Sequence, residues 1–268
     1  MRNHDGDQMS DHPSAFDDFW EASSLDQFNI ADFSRTMNAY DSDVKDLQLE
    51  FPGVAEPLPG SPAARASRRS PRAALRAVVG RHRQSPLTRI SARRESTRAF
   101  SGRSLTRSDI SEVLGSLYAH GGLEHRGYPS AGASYVTEAF CVGFDAQGLA
   151  GRIAYYDAET HGLVTVSEDA PSWTEARDLL NVGIEGTPGM LVVLVAFPER
   201  AVAKYGDRGG RFALLEVGAA MQQLSLAVAE RRALKGVIVG GMMDRAWLRL
   251  LGLAGTDARV VVGYLVGR

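Results

Sequence analysis

An α+β domain with one central sheet sandwiched by helices is the fold class this sequence predicts, and three observations predict it. The run 190–197 is β-branched and almost entirely apolar, the pattern of a strand covered on both faces. Residues 210–232 place Phe212, Leu215, Ala219, Gln222, Leu226 and Ala229 at helical spacing, with Gly218 and Ala220 small enough for close packing, so this stretch reads as a long core helix. Around these two, short strand-like runs alternate with helical patterns.

Each element follows in chain order. Residues 1–15 are acidic and polar and are expected to be disordered. From 16 to 49 the apolar residues, Phe16, Phe19, Trp20 and Leu25 among them, are too many for a free tail, so the segment is expected to dock. Five prolines between 51 and 72 mark a linker, and a basic helix is expected over 71–82. The division is therefore an extension and linker, 1–85, followed by one domain, 86–268. Thr106 as N-cap with Asp109 three residues on opens a helix whose stripe is Ile110, Val113, Leu114, Leu117 and Tyr118, ended by Gly121 and Gly122. Residues 135–144 read as a strand, 152–157 and 163–166 as a hairpin, and 173–181 as a short helix. After the central strand and the long helix come a short strand at 237–239, a helix capped by Asp244 and running to 251, and a last strand at 259–266.

Composition narrows the function classes. With 44% hydrophobic and 23% charged residues in 268, and a net charge of −2, the chain reads as an ordinary globular protein with no general pull toward nucleic acid. The charge is unevenly placed: residues 1–60 hold thirteen acids and three bases, whereas 61–110 hold thirteen arginines and two acids. A single cysteine, Cys141, leaves no internal disulfide, and no signal peptide or membrane span is read, so a cytoplasmic protein is expected. The six histidines form no metal-ligand pair at helical or strand spacing, and no metal site is expected.

Three segments carry chemistry. Residues 93–100 offer guanidinium groups and a hydroxyl suited to phosphate and carbonyl oxygens; if they open a helix, Arg94 and Arg98 share a face, and otherwise they are a solvated basic surface. Residues 129–135 form a small-residue loop in which Gly132 permits conformations closed to other residues, either a ligand loop or an ordinary turn. Lys204 and Tyr205, between the central strand and the long helix, are a general acid/base pair or an exposed lysine beside a half-buried aromatic. Gly240 and Gly241 can bring backbone N–H groups to a ring nitrogen or end a strand, and Arg268 can reach a phosphate or fray. Glu216, inside an apolar helix, needs a partner, with Arg208 or Arg211 nearby.

The order of segments resembles the nitroreductase superfamily, and more closely its SagB-type dehydrogenase branch, which includes the azoline oxidases of ribosomal peptide pathways. The resemblance runs over about 89–268 and is carried by Arg94-Glu95-Ser96-Thr97-Arg98-Ala99-Phe100, Pro129-Ser130-Ala131-Gly132-Ala133, Lys204-Tyr205-Gly206 with Arg208, the stretch from Arg211 to Gly218, and Val262-Gly263. It implies a nitroreductase-like fold and an FMN enzyme working as a homodimer with each flavin between subunits. Arg94, Ser96 and Arg98 would hold the phosphate, ribityl chain and pyrimidine edge; the loop of Pro129, Ser130, Ala131 and Gly132 would come from the partner subunit; Gly240 and Gly241 would lie near the flavin N5. Lys204 and Tyr205 would be the catalytic pair, oxidising a thiazoline or oxazoline of a peptide substrate to an azole. The extension would wrap the dimer, dock a cyclodehydratase or attract an acidic leader peptide. An NAD(P)H-dependent nitroreductase and a non-catalytic scaffold subunit are the alternatives.

Overall fold

A computed structural model describes residues 15–27, 29, 31, 85–120 and 125–268. Its elements are α1 (Ala15–Ser23), α2 (Pro86–Ser91), α3 (Arg107–Gly115), β1 (Thr137–Gly143), β2 (Ile153–Asp157), β3 (Gly162–Ser167), α4 (Trp173–Asp178), β4 (Met190–Ala196), α5 (Glu199–Tyr205), α6 (Arg208–Glu230), β5 (Lys235–Val239), α7 (Asp244–Leu250) and β6 (Arg259–Gly267). The six strands form one antiparallel sheet in the order β3-β2-β1-β4-β6-β5. β4 lies inside the sheet with all seven residues buried. Its Met190, Val192 and Leu194 join the core made with α3 and α6, and its Leu191, Val193 and Val195 join the core made with α4 and α7. Period-two side-chain alternation on a strand covered on both faces produces this double core.

Local chemistry sets the element ends. Thr106 and Asp109 form the expected reciprocal capping box on α3, but the helix stops at Gly115; Gly121 and Gly122 lie outside the described residues, as do the expected basic helix at 71–82 and nearly all of the tail at 1–15. Asp244 is the first residue of α7 rather than its cap; its carboxylate instead accepts the Leu25 N–H at 3.4 Å. The described part of the extension, around α1, packs against the residues that follow: Trp20 is buried, Asp17 pairs with Arg259 at 3.1 Å and Glu21 with Arg245 at 3.0 Å. By length and hydropathy α6 is the one described helix that would pass for a membrane span; in the fold it packs on four strands and carries the buried Glu216.

Candidate functional site

The loop before β1 is held in an unusual backbone conformation. Gly132, Ala133 and Tyr135 have φ of +57°, +52° and +41°. For residues with a Cβ this costs about 1–2 kcal/mol each, and it persists only where surrounding contacts hold it. Four hydrogen bonds do so. Lys204 Nζ donates to the Gly132 carbonyl at 2.6 Å, Ser134 Oγ to the Ala131 carbonyl at 2.9 Å, the Tyr135 N–H to Ser130 Oγ at 2.8 Å, and Arg200 Nη1 to the Tyr135 carbonyl at 2.7 Å. The Tyr135 phenol accepts the Arg126 N–H at 3.2 Å, and the Arg126 guanidinium lies 4.9 Å from its ring centre.

Lys204 and Tyr205 end α5, where Gly206 at φ +57° turns the chain into α6. Both side chains are exposed. Tyr205 packs edge-on against Phe212 with ring centres 5.0 Å apart. A Cβ added at Gly132 would lie 2.3 Å from the Tyr205 hydroxyl. The pair therefore meets one glycine from two sides, the ammonium on its carbonyl and the phenol against its α-carbon. Two of the three chemistry-bearing segments are thus joined within one chain.

Behind the loop lies a buried polar network that sequence reasoning missed. Arg126 Nη1 donates to the Tyr128 hydroxyl and the Thr137 carbonyl, each at 2.9 Å. Tyr155 donates to Glu138 at 3.0 Å, and Glu138 pairs with Arg200. Burial pushes the Tyr128 phenol up to about 12 despite Arg126, and burial reinforced by Glu138 does the same for Tyr155. Glu216 accepts the Thr137 N–H at 2.9 Å and faces Arg126 electrostatically, so its partners are not Arg208 or Arg211. One signal was available: Glu138 stands in an otherwise apolar strand, where a carboxylate requires a partner.

The arginine segment is extended, not helical. The Thr97 N–H donates to the Gly236 carbonyl, and residues 98–100 pair with Glu185. Arg94 and Arg98 are therefore not joined by a helical face: the Arg94 N–H bonds the Ile90 carbonyl in the turn that ends α2, whereas Arg98 lies in the stretch paired with Glu185. Arg94, Ser96 and Arg98 are exposed, and neither arginine has an ion pair among the described residues. Beside them runs a groove of about 710 Å³ bounded by residues 95–99 and 183–185. The Asn181 N–H donates to the Gly241 carbonyl at 2.6 Å and the Glu185 N–H to the Arg98 carbonyl at 2.9 Å, so Gly241 and Arg98 are tied to residues at most about 14 Å of chain apart. Gly240 borders open space, while Gly241 backs onto Asn181. Arg268 lies elsewhere: its guanidinium pairs with Asp109 at 2.6 Å, and although burial opposes it, this pairing with Thr106 holds the Asp109 carboxyl below its ordinary range.

Within one chain the two halves stand apart. Tyr205 packs on Phe212, whereas Arg94 acts on Tyr264, whose phenol bonds Ser225. Phe212 and Ser225 are separated by thirteen residues of α6, about 20 Å of helix.

The chain is similar to known proteins over this same region. Residues 91–268 match the nitroreductase family. A protein of Methanocaldococcus jannaschii, provisionally named a nitroreductase, is 30% identical over 155 residues, 57% of this chain and 77% of that protein. Among solved structures, a provisionally named nitroreductase of Ralstonia eutropha superposes with a TM-score of 0.55 at 22% identity, covering 71% of this chain and 86% of the other. A chain of the E. coli microcin synthetase McbBCD complex with truncated pro-MccB17 bound superposes with a TM-score of 0.57 at 19% identity, covering 97% and 99%. The sheet with its two helical layers is the nitroreductase-like fold, and this chain belongs to the nitroreductase family, whose members are FMN-dependent oxidoreductases.

Proposed function

We propose that the protein is an FMN-dependent dehydrogenase that oxidises the azolines of a ribosomally made peptide to azoles, working as a homodimer. The observation that carries this reading is the convergence of Lys204 and Tyr205 on Gly132, in a loop whose positive φ values are held by four hydrogen bonds. The microcin synthetase neighbour supports it. Its match extends over 97% of this chain, beyond the 71% reached by the Ralstonia nitroreductase, and it was solved with a peptide precursor bound.

The donor set along 94–98 fits FMN: two exposed guanidinium groups with no ion pair among the described residues and a hydroxyl suit a phosphate and the pyrimidine carbonyls, and the groove lined by Ser96 and Arg98 is roomy enough for a planar ring. Arg94, Ser96 and Arg98 would hold the cofactor, with Gly240 and Gly241 at its reactive edge. FMN supplies a two-electron acceptor that O2 can regenerate. The residues of this chain handle the proton. A ring Cα–H flanked by C=N and a carbonyl is acidified; Tyr205 is assigned that proton, with Lys204 stabilising the phenolate or sharing the proton. Arg268, committed to Asp109, is assigned no contact with the cofactor.

The roughly 20 Å of α6 between Phe212, beside Tyr205, and Ser225, beside Tyr264, supports a site built from two copies, the loop of Pro129, Ser130, Ala131 and Gly132 and the acid/base pair facing the arginines of the other chain. α6 supports the same arrangement: it is apolar along most of its length, yet only a minority of that stretch is buried within the chain, and Leu215 is 70% exposed. A second reading, a nitroreductase using NAD(P)H, is favoured by the Methanocaldococcus relative. Lys204→Ala and Tyr205→Phe separate the two. Retained flavin with lost azole formation is the expected result; unchanged turnover with bleaching of the flavin by NAD(P)H would establish the nitroreductase instead.

A further inference from the structure

We propose that the cavity between α1 and the start of α6 is a docking site for an apolar side chain neighboured by a carboxylate in the peptide substrate, so that the N-terminal extension selects what reaches Lys204 and Tyr205. This rests on the peptide-oxidising reading. The cavity measures about 520 Å³, in the range of pockets that enclose a small ligand, and is lined by Phe16, Phe19, Asp207, Arg208, Arg211 and Leu214.

α1 is fixed as a wall. Asp17 and Glu21 pair with Arg259 and Arg245, and Leu25 bridges to Met243. Phe16 lies so close to Gly210 that an added Cβ would stand 2.4 Å from its ring. With Asp17 and Glu21 engaged elsewhere, α1 turns Phe16 and the 54% exposed Phe19 toward α6. Among the described residues the lining holds two guanidinium groups against one carboxylate, and neither Arg208 nor Arg211 has an ion pair among them. Aromatic and aliphatic walls beneath two unpaired arginines complement a side chain that is apolar with an anion next to it. Ring contacts link the cavity wall to the acid/base pair: Arg208 lies 6.0 Å over Phe212, and Phe212 packs on Tyr205.

The probes are two fluorescein-labelled synthetic peptides, one carrying a thiazoline followed by Phe and Asp, the other with Asn in place of Asp. Anisotropy is read with the full, FMN-loaded chain as wild type, Phe19→Ala and Arg211→Gln. Wild type is expected to prefer the Asp peptide by about tenfold, the scale of one charge-assisted hydrogen bond. Arg211→Gln should abolish that preference, and Phe19→Ala should weaken both peptides by a similar factor. Equal binding of the two peptides, no binding by wild type, or variants indistinguishable from wild type would overturn the proposal. So would a change of oligomeric state in Phe19→Ala, which would mean that a second copy covers the cavity. Azole formation in the same samples is read separately: selective binding without it supports the docking site and sinks the peptide-oxidising reading, whereas azole formation without selective binding sinks only the docking site.

Discussion

Replacing Gly132 with alanine tests the geometry on which the site rests. The new Cβ would meet the Tyr205 hydroxyl at 2.3 Å and its Cζ at 3.3 Å, so the phenol must retreat by about 1 Å to reach an ordinary contact near 3.4 Å. Holding alanine at φ +57° costs about 1 kcal/mol, and losing part of the edge contact between Tyr205 and Phe212 costs about 0.5–1.5 kcal/mol more. The fold should survive, with a loss near 2 kcal/mol in urea unfolding. Catalysis should suffer more, because a displacement of about 1 Å in a reacting group can cost about a hundredfold. The assay is azole formation at saturating FMN, which separates a misplaced phenol from a weakened flavin site. Turnover within twofold of wild type would refute the claim that Gly132 sets the position of Tyr205.

Other perturbations have equally definite outcomes. Tyr205→Phe keeps the ring against Phe212 and should lower the rate by about 10²–10⁴-fold, the usual worth of a positioned acid/base group, with flavin absorbance unchanged. Arg98→Ala, at an exposed position, should leave unfolding unchanged and weaken FMN by about tenfold or more in a fluorescence titration; equal affinity would remove Arg98 from the cofactor site. Burial raises the Asp244 carboxyl to about 6 in spite of its bonds to Ser24 and the Leu25 N–H. The unfolded group titrates near 3.8, so between these values the folded state holds the proton more tightly and stability falls as pH rises, by at most about 3 kcal/mol in all. Asp244→Asn should therefore flatten the stability profile between about pH 4 and 6 and stabilise the protein at pH 7 by about 1 kcal/mol; a profile identical to wild type would contradict this.

The sheet and its long helix were legible because their signals are local. The unbroken apolar run at 190–197 reflects a strand buried on both faces, and Thr106 with Asp109 writes a helix start into four residues; the period of 3.6 through 212–229 marks the helix, but the stripe of Phe212, Leu215, Ala219, Gln222, Leu226 and Ala229 is not the face it buries, which carries Ala213, Glu216, Val217, Ala220, Leu224 and Val228. What could not be read depends on contacts far apart in sequence. Arg94 and Arg98 fit a helical face by spacing, yet pairing with Gly236 and Glu185, more than eighty residues away, draws the segment into an extended conformation. Glu216 has arginines five and eight residues before it, but its partners are the backbone of Thr137 and the charge of Arg126. Lys204 and Gly132 are 72 positions apart, and only the fold shows that one caps the other.

The most direct test of the central claim is to incubate catalytic amounts of the FMN-loaded protein with a thiazoline peptide in air and follow the peptide's mass. Loss of two hydrogens per ring over many turnovers, abolished in Tyr205→Phe with its flavin intact, is the predicted result. An unaltered peptide beside a flavin that NAD(P)H bleaches and a nitroaromatic reoxidises would contradict it.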